Sequence, residues 1–519
     1  MATITETLLN LEAWPASVWV VLLTGLATLA TQLFRRPSLP KNAPGWWKGE
    51  DWPIAGALRF YSARRDYFRN AVKHSSTGNF SFYIGKKQIV GLSGPEGRKT
   101  FFDSRDLSFT EGFAELFTGQ PIQSDMESFV PFFNKSLLWM IKRENFVKNL
   151  DVLTGDTLAA YKKLAAAAPA SAPASKADPE SEWKVTNPFD SMYRVVYQLT
   201  MRTVGADDIA ADPALLRHTL ALFERFETSG STAKVVFPWF PTPRHLVRMW
   251  TGARLAMVFQ RIIDGRKRTG KKGNDPLQFL IDQGASIKHI VAFQIGALFA
   301  GQINSGIHSS WIQIYLALDP DWKARVRAEV DASVARHRTS AAQTAADVLS
   351  GLTIEDWDSD FPLVDLCLRE SIRMGLPGTG FRKNISGRDV PIGATGEVIP
   401  HGAFAAYLMD DVSMNAELYT EPERFDPGRF SEGRAEDRKM QHGYVGWGSG
   451  RHPCLGMKFA KLEIAIITVY FNALFDFELS DAAGNPTSEL PAPVDRNQVQ
   501  AERPKKPVYL RYKVREGAL

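Results

Sequence analysis

The segment that decides the fold reads, in order, Trp447-Gly448-Ser449-Gly450-Arg451-His452-Pro453-Cys454-Leu455-Gly456. A lone cysteine follows a glycine-rich loop and stands at the start of a long apolar stretch, 455–474, whose spacing predicts a helix. Unpaired N–H groups and the positive end of the helix dipole stabilise a thiolate there, and glycines let the backbone approach a flat cofactor. Cys454 is therefore a candidate metal ligand, although a cysteine taken alone is more often a small buried apolar residue.

Length and composition exclude several classes of protein. The chain has 519 residues, 44% of them hydrophobic and 23% charged, which suits a large folded core and excludes a disordered or fibrous chain. The net charge of +5 permits a local basic docking face but argues against nucleic acid as a partner. Cys367 and Cys454 are the only cysteines, which excludes a disulfide framework and a multi-cysteine zinc site and fits a reducing compartment.

An apolar segment near the N-terminus predicts a membrane anchor. No charged residue occurs in residues 13–34, and at about 1.5 Å rise per residue such a helix spans a hydrocarbon core of ~30 Å. Arg35 and Arg36 follow at once, so the positive-inside rule places residues 1–12 in the lumen and the rest of the chain in the cytosol. The long run, with no basic segment before it, argues against a cleaved signal peptide. We expect a single pass in the endoplasmic reticulum membrane.

A hinge and a globular body follow the anchor. Residues 35–47 contain three prolines that cannot continue the helix, and Trp46 and Trp47 are aromatic residues of the kind that favour a membrane interface. Residues 48–519 form the body, and most of this body has helical spacing, notably in 287–318, 361–374 and 455–474.

Strand signals in the body are few. Residues 80–84 and 88–92 flank Gly85 and predict a hairpin, and shorter strand signals occur at 398–407 and 508–514. The stretch 164–178 consists almost entirely of Ala, Pro, Ser and Lys and predicts an exposed loop. The predicted fold class is mainly α with a minor β part.

The cysteine segment resembles the haem-binding loop of the cytochrome P450 family, Phe-x-x-Gly-x-Arg/His-x-Cys-x-Gly, with tryptophan in place of the usual phenylalanine. This resemblance implies the P450 fold, haem b as the cofactor and Cys454 as the iron ligand. It also implies that the residues around the haem in this loop are Trp447, Gly448, Gly450, His452 and Gly456.

Two further matches imply an ion network that supports this loop. Glu370 and Arg373 match the Glu-x-x-Arg motif of the family, and their i,i+3 spacing puts acid and base on one helix face. Arg429 matches the arginine of a Pro-x-Arg-Phe segment before the loop and fits better than Arg424. The resemblance gives these three residues a structural role in folding and haem retention.

Four residues resemble those that bind haem propionates in the family. Trp139 and Arg143 match a Trp-x-x-x-Arg helix, while Arg382 and His452 stand where family members contact the carboxylates. For Arg382, an ordinary surface ion pair is an equally good interpretation.

The helix expected on the distal side of the haem departs from the family pattern Ala/Gly-Gly-x-Asp/Glu-Thr-Thr. Ala300 and Gly301 keep the small residues where the helix passes the haem, but Ile303 replaces the acid and Asn304 the alcohol. The alternative for Asn304 and Ser305 is that they form a helix-packing pair whose side chains bond to a carbonyl one turn back. The resemblance implies that Ala300, Gly301, Asn304 and Ser305 form the catalytic surroundings without the usual proton relay.

The tryptophan of the loop and Asn304 together resemble the branch with steroid 7α/12α-hydroxylases and prostacyclin synthase. The resemblance implies a monooxygenase that hydroxylates a lipophilic substrate, such as a sterol or triterpenoid, with dioxygen and electrons from an NADPH-dependent flavin reductase. The basic residues that could dock this reductase are Lys142, Arg143, Arg451, Lys458 and Lys461. The alternatives are a haem-thiolate isomerase or dehydratase of a lipid peroxide and a haem-binding membrane protein without catalysis.

Overall fold

The computed structural model describes residues 15–118, 124–168, 182–230, 233–236 and 240–519. The expected lumenal segment 1–12 lies outside the described residues, as does most of the expected loop 164–178. At the beginning of that loop the structure differs from the prediction, because Leu164 and Ala165 still belong to a helix.

Helices make up most of the described chain. In chain order, the α-helices are α1 Ala16–Phe34, α2 Arg59–Ser62, α3 Arg64–Lys73, α4 Gly94–Asp103, α5 Phe109–Phe113, α6 Ser124–Met140, α7 Arg143–Ala165, α8 Pro188–Val204, α9 Asp207–Ala211, α10 Pro213–Thr228, α11 Ala233–Val236, α12 Pro243–Thr269, α13 Pro276–Asp282, α14 Ile287–Leu318, α15 Pro320–His337, α16 Ala345–Ser350, α17 Ile354–Ser359, α18 Pro362–Gly375, α19 Asp410–Ser413 and α20 Met457–Leu474. A π-helical turn, Ala114–Thr118, and two 3₁₀ turns, Pro427–Phe430 and Glu436–Arg438, complete the helical part.

In the residues that the structure describes, the strands form three small sheets. In chain order, they are β1 Phe80–Ile84, β2 Lys87–Leu92, β3 Leu107–Ser108, β4 Lys184–Thr186, β5 Thr379–Asn384, β6 Val390–Pro391, β7 Val398–Ile399, β8 Phe404–Leu408, β9 Phe475–Ser480 and β10 Tyr509–Val514. The largest sheet has the order β1-β2-β8-β5-β3, in which β2 and β8 are parallel and the other pairs are antiparallel. The other sheets have the orders β4-β10-β9 and β6-β7. The prediction of a mainly helical fold with a minor β part is confirmed.

The predicted elements differ from the observed ones mainly at their ends. The hairpin forms with Ile84 opposite Lys87, so its turn is the two residues Gly85 and Lys86, and Gly85 has a φ of 58°. The signal at 398–407 is two strands, β7 and β8, because Gly402 adopts a φ of 73° and turns the chain between them.

Helix α14 is the core of the molecule. Ser286 caps its N-terminus by accepting the N–H of His289 at 3.2 Å, and apolar residues occur on every side of the helix, as expected for a buried one. Helices α8, α18 and α20 pack against it. In the described part of the chain, α14 meets the length and apolarity of a membrane span, but more than half of its apolar window is buried inside the protein.

The predicted anchor contains helix α1, and the helix ends before the hinge, where Arg35 is extended. The hinge contacts the body. The side chains of Val20, Val21, Leu23 and Leu26 on α1 are exposed. Pro37 O accepts the hydroxyl of Tyr83 at 2.5 Å, which ties the hinge to β1.

The two hinge tryptophans pack on the body. Trp46 lies edge to face with Tyr83 at 5.2 Å between ring centroids, and Trp47 packs against His74 at 4.6 Å. Their rings are thus partly buried against protein, and the strongly exposed aromatic residue of this region is Trp52.

Candidate active site

Cys454 lies in a tight loop directly before α20. Its N–H donates to Trp447 O at 2.7 Å and closes the loop, and its carbonyl accepts the N–H of Met457 at 3.4 Å. The side chain is exposed, yet burial by neighbouring atoms raises the pKa of the thiol, while the N–H groups of Gly456 and Met457 lower it. A thiol that is accessible but partly desolvated lies at the wall of a cleft, and the N–H groups that face it favour the thiolate.

Two glycines of this loop occupy backbone conformations that other residues avoid. Gly448 has a φ of 71° and Gly450 a φ of 59°. A Cβ would lie 2.4 Å from His452 O at the first position and 2.3 Å from Phe102 O at the second. The same Phe102 carbonyl accepts the N–H of Arg451 at 3.1 Å, which fastens the loop to α4. Side chains at either glycine would displace the loop that carries Cys454.

Arg382 and His452 lie close together beside the loop. The guanidinium of Arg382 is 5% exposed and lies 4.5 Å and 5.0 Å from the ring centres of Phe101 and Phe109. Its Nε has no partner, and no carboxylate pairs with this arginine within the described residues. Burial lowers the pKa of Arg382 to about 10 and also lowers the pKa of His452, an effect that Arg382 and Arg451 reinforce. A buried cation without a counter-charge suits an anionic group supplied by a cofactor.

Trp139 and Arg143 do not join this pair. The indole of Trp139 stacks on Phe279 at 3.7 Å between ring centroids with the planes 4° apart. Arg143 begins α7 and donates to Glu355 at 2.8 Å and to Asp358 at 2.5 Å on the surface. Both side chains therefore have other partners, and the structure gives no support to their expected role as propionate ligands.

Glu370, Arg373 and Arg429 form a buried ion network. Arg373 donates from Nε and Nη2 to the two oxygens of Glu370 at 2.8 Å each, and Arg429 donates from Nε at 2.9 Å. Backbone carbonyls take the other donors: Ser413 O accepts from Arg373 at 2.7 Å and Thr420 O from Arg429 at 2.9 Å. The side chains are at most 2% exposed, so every charge is satisfied without water.

A second acid completes this network and is not evident from the sequence. Glu436 accepts from Arg429 at 2.9 Å and from Arg434 at 2.6 Å. Burial raises the pKa of Glu436, but the hydrogen bonds from Arg434 and Arg429 outweigh that effect and lower it. Two carboxylates thereby balance the two fully buried arginines. The acid begins the three-residue 3₁₀ turn Glu436–Arg438, which is too short for a helical or strand spacing to point to it.

One face of α14 opens into an internal space. Ala300 and Asn304 lie one turn apart and are exposed, whereas the neighbouring Gln302, Ile303 and Ser305 are buried. Exposed side chains in the middle of a core helix line a cavity. Asn304 Nδ2 donates to Ala300 O at 3.3 Å, so this residue both bonds to a carbonyl one turn back and lines the cavity.

A buried acid that motif matching does not reveal lies behind the same part of α14. Glu463 on α20 accepts the hydroxyl of Thr200 at 3.1 Å, and the hydroxyl of Ser305 is near its carboxyl. Burial raises the pKa of Glu463 to about 8, although both hydroxyls lower it. The signal in the sequence that could have indicated this buried acid is its position within the apolar stretch 455–474.

His442 is a further residue without a sequence signal. Its Nδ1 lies 2.7 Å from Ser449 Oγ, so it holds the loop between the two glycines, and its own φ is 54°. Its ring also packs on Phe102 at 5.2 Å between centroids. The residue thereby ties the cysteine loop to α4.

These residues fit haem. An accessible cysteine faced by N–H groups can bind iron as a thiolate, and glycines give the macrocycle a close approach. The buried cation Arg382, which lacks a carboxylate partner among the described residues, suits a propionate, and the neighbouring His452 ring can donate a hydrogen bond to one. On the other side the small Ala300 leaves room, whereas a Cβ on Gly301 would face Thr200, 3.6 Å from its Cγ2. The fold and the site together define a haem-thiolate protein.

Comparison with known proteins gives the family. The model of the cytochrome P450 family matches residues 48–501, and the chain belongs to this family. The chain is accordingly an oxidoreductase of the monooxygenase type, and haem b is its cofactor.

Related proteins include fungal monooxygenases. Cytochrome P450 monooxygenase AacuE of Aspergillus aculeatus is 34% identical over 86% of this chain and 88% of the relative. Sterol 14-demethylase of Arabidopsis thaliana is 25% identical over 88% of this chain and 92% of its own length. Retinoic acid bound cyanobacterial CYP120A1 has the same fold, with a TM-score of 0.69 at 19% identity over 92% of this chain and 100% of that structure. These relatives lend no support to the steroid 7α/12α-hydroxylase and prostacyclin synthase branch.

Proposed function

We propose that this chain is a membrane-anchored monooxygenase of the endoplasmic reticulum that oxidises a lipophilic substrate, such as a sterol, triterpenoid or similar secondary metabolite. The observation that carries the proposal is the accessible Cys454 thiol in its glycine loop, together with the cavity-lining face of α14. When bound, haem supplies the activation of dioxygen that inserts one oxygen atom into a substrate C–H bond.

The residues of the chain hold and tune that chemistry. The N–H groups of Gly456 and Met457 stabilise negative charge on Cys454 sulfur and so adjust how much electron density it donates. Arg382 would neutralise a carboxylate of the cofactor, the His452 ring would donate a hydrogen bond to one, and both contacts would orient the macrocycle. Asn304 can order a water molecule or a substrate oxygen, since its amide both donates and accepts hydrogen bonds.

Two apolar surfaces support the membrane location. Helix α1 exposes apolar side chains between Val18 and Leu26, as an anchor requires. The first turns of α12 expose Leu246, Val247, Met249 and Trp250, which is unusual for a soluble surface. A body that rests on this second surface would keep its substrate entrance close to the lipid phase.

A flavin reductase is the proposed electron donor. Three of the five basic residues expected to dock it support this proposal. Lys142, Arg451 and Lys458 are exposed and carry no ion pair within the part of the chain that the structure describes. Lys461 instead pairs with Asp365 at 2.7 Å, and Arg143 pairs with acids of α17. Charge reversal at Lys142 and Lys458 should slow reductase-supported turnover most at low salt.

A sterol or another rigid polycyclic compound is the substrate class we favour, because a sterol 14-demethylase is among the relatives. Substrate-induced shifts of the haem spectrum across sterols, triterpenoids and fatty acids test this point. A response confined to fatty acids would contradict it.

The cysteine ligand has a direct spectroscopic test. Cys454→Ser removes the thiolate, so the reduced carbon monoxide complex should lose its red-shifted Soret band. Cys367→Ser is the matched control, because Cys367 is fully buried and should leave the band in place. A band that survives Cys454→Ser would refute thiolate ligation by this residue.

The absence of an acid and an alcohol at positions 303 and 304 favours a second candidate, isomerisation or dehydration of a lipid peroxide, which needs no external protons. Turnover of a lipid hydroperoxide without reductant would support this activity. If the haem-loaded protein consumes neither reductant, with any lipophilic substrate, nor lipid hydroperoxide, it is a haem-binding protein without catalysis.

A further inference from the structure

One arginine clamps the start of the hinge to the body. Arg36 Nη1 donates to Asp51, and its Nη2 donates to the carbonyls of residues 52 and 53 at 2.5 Å and 2.9 Å. The guanidinium also lies over the rings of Trp46 and Tyr83, 5.5 Å and 5.2 Å from their centres. The side chains of Arg36 and Asp51 are only 9% and 10% exposed. Because a single residue separates this arginine from the end of α1, the clamp restrains the body relative to the anchor.

A serine lies beside this clamp. Ser38 follows Arg36 by two residues and is exposed. It lines an open groove of about 460 Å³ that Arg36 and Asp51 also line. The backbone around it belongs to no helix or strand, and Pro37 and Pro40 prevent a helix from forming there. A group attached to the serine would therefore lie in the same groove as the clamp.

The sequence around this serine is strongly basic. Arg35-Arg36-Pro37-Ser38-Leu39 places two positive charges shortly before the hydroxyl. Serine kinases with an acidic substrate groove select their substrates by such charge patterns. Residues 35–48 contain no acid and four cations, which are Arg35, Arg36, Lys41 and Lys48. The segment thus suits both a kinase of this type and the phosphate that it would add.

We propose that Ser38 is a phosphorylation site and that its phosphate opens the Arg36 clamp. The kinase transfers the γ-phosphoryl group of ATP to Ser38 Oγ; the hydroxyl proton passes to a base of the kinase, and ADP leaves. Since Arg36 belongs both to the recognised sequence and to the clamp, the kinase binds the released hinge, and the phosphate then keeps the hinge released. The inference rests on the proposed membrane anchorage, because the clamp restrains an anchored body.

The phosphate competes with Asp51 for the same guanidinium. Phosphoserine carries a charge of about −1.5 to −2 at pH 7 and three acceptor oxygens. Asp51 offers Arg36 one oxygen, while its Oδ1 has no hydrogen-bond partner. Arginine binds a phosphate through two N–H groups at once, and the phosphate also repels the carboxylate of Asp51. The guanidinium therefore leaves Asp51 and the two backbone carbonyls together.

The test uses the full-length, haem-loaded protein in detergent, with ATP, Mg²⁺ and the catalytic subunit of cAMP-dependent protein kinase. We expect one phosphate at Ser38, located by peptide mass spectrometry, and none at this position in Ser38→Ala. Amide hydrogen exchange in residues 50–57, which bond across the turn 52–56, should become at least about ten-fold faster, since the lost hydrogen bonds involve a charged group. Exchange in α14 should stay the same, which distinguishes local release from unfolding.

Variants separate recognition from the clamp. Arg35→Gln removes one charge before the serine without touching the clamp, so it should slow phosphate incorporation and leave hydrogen exchange unchanged. Lys41→Gln is the matched control, because it removes an exposed hinge cation after the serine and should change neither rate. Asp51→Asn opens the clamp without phosphate, so it should speed incorporation and reproduce the fast exchange.

An internal control for the basic sequence lies at the end of α12. Arg266-Lys267-Arg268-Thr269 also places positive charges before a hydroxyl, but this segment is helical and Thr269 Oγ1 donates to Gly265 O at 2.9 Å. We therefore expect Ser38 to be phosphorylated well before Thr269.

Two results would overturn the proposal. A lack of phosphate at Ser38 in Asp51→Asn, where the hinge is released, would refute the site. Phosphorylated wild-type protein with unchanged exchange in residues 50–57 would refute the opening of the clamp. Neither measurement depends on a bilayer or on turnover, so a chain that fails to insert into lipid vesicles would instead refute the proposed anchorage.

Discussion

Two ion networks of this protein use the same chemical groups and differ in burial. Around Glu370, two arginines and a second acid are buried, and each donor has an oxygen partner. Around Arg143, the partners Glu355 and Asp358 are 70% and 57% exposed. Water and salt screen the second network, whereas a charge left alone in the first cannot be solvated. A charged motif thus constrains the structure only where the fold buries it.

The largest effect should follow Glu370→Gln. The change leaves Arg373 and Arg429 without the charge that both bond to, and removal of one partner of a buried pair costs about 3–5 kcal/mol. Chemical denaturation of the haem-loaded protein measures the loss. If the variant does not accumulate, the fraction of chain that retains haem gives the same comparison.

The matched control is Glu355→Gln on the surface network, which should leave the denaturation midpoint in place. Equal midpoints for the two variants would show that burial is not what distinguishes the networks.

The next effect concerns pH. His308 is buried on α14, with its Nδ1 3.1 Å from Ser371 Oγ beside Glu370, and burial lowers its pKa from 6.5 to about 4. Below pH 6.5 the unfolded chain takes up this proton before the folded one, so stability falls between pH 6.5 and 4 by about 3 kcal/mol. Thermal unfolding across this range measures it.

His308→Gln should reduce the slope of stability against pH, while substitution of the exposed His401 should not. An unchanged slope in His308→Gln would show that the buried region tolerates a charged imidazole at this position.

The contrast also explains what could be predicted from the sequence. Helix α14 and the pair Glu370 and Arg373 follow from spacing along one helix, and the structure has them where spacing puts them. Glu436 and Glu463 meet their partners through loops and helix packing, which depend on tertiary contacts that no local period encodes. Trp139 matched a motif, but spacing does not state which neighbour a helix face meets, and here it is Phe279.

A smaller effect separates the two sets of residues expected to bind the propionates. Arg382→Met removes a buried cation that has no carboxylate partner among the described residues, so haem affinity should fall by about 2–3 kcal/mol, roughly a hundred-fold. Transfer of haem to apomyoglobin measures the change. Free energy of unfolding of the haem-free chain should not decrease, because burial of this charge costs free energy until the cofactor arrives.

The smallest effect is expected for Arg143→Met, which tests the other arginine that the sequence analysis expects to bind a propionate. Its guanidinium is half exposed and bonds to two surface carboxylates, so its loss should change neither haem affinity nor stability measurably. The same haem-transfer assay decides the point, with Arg382→Met as the positive reference. A faster loss of haem from Arg143→Met would show that the arginine leaves Glu355 and Asp358 when the cofactor binds, and the exposed network would then be functional despite its exposure.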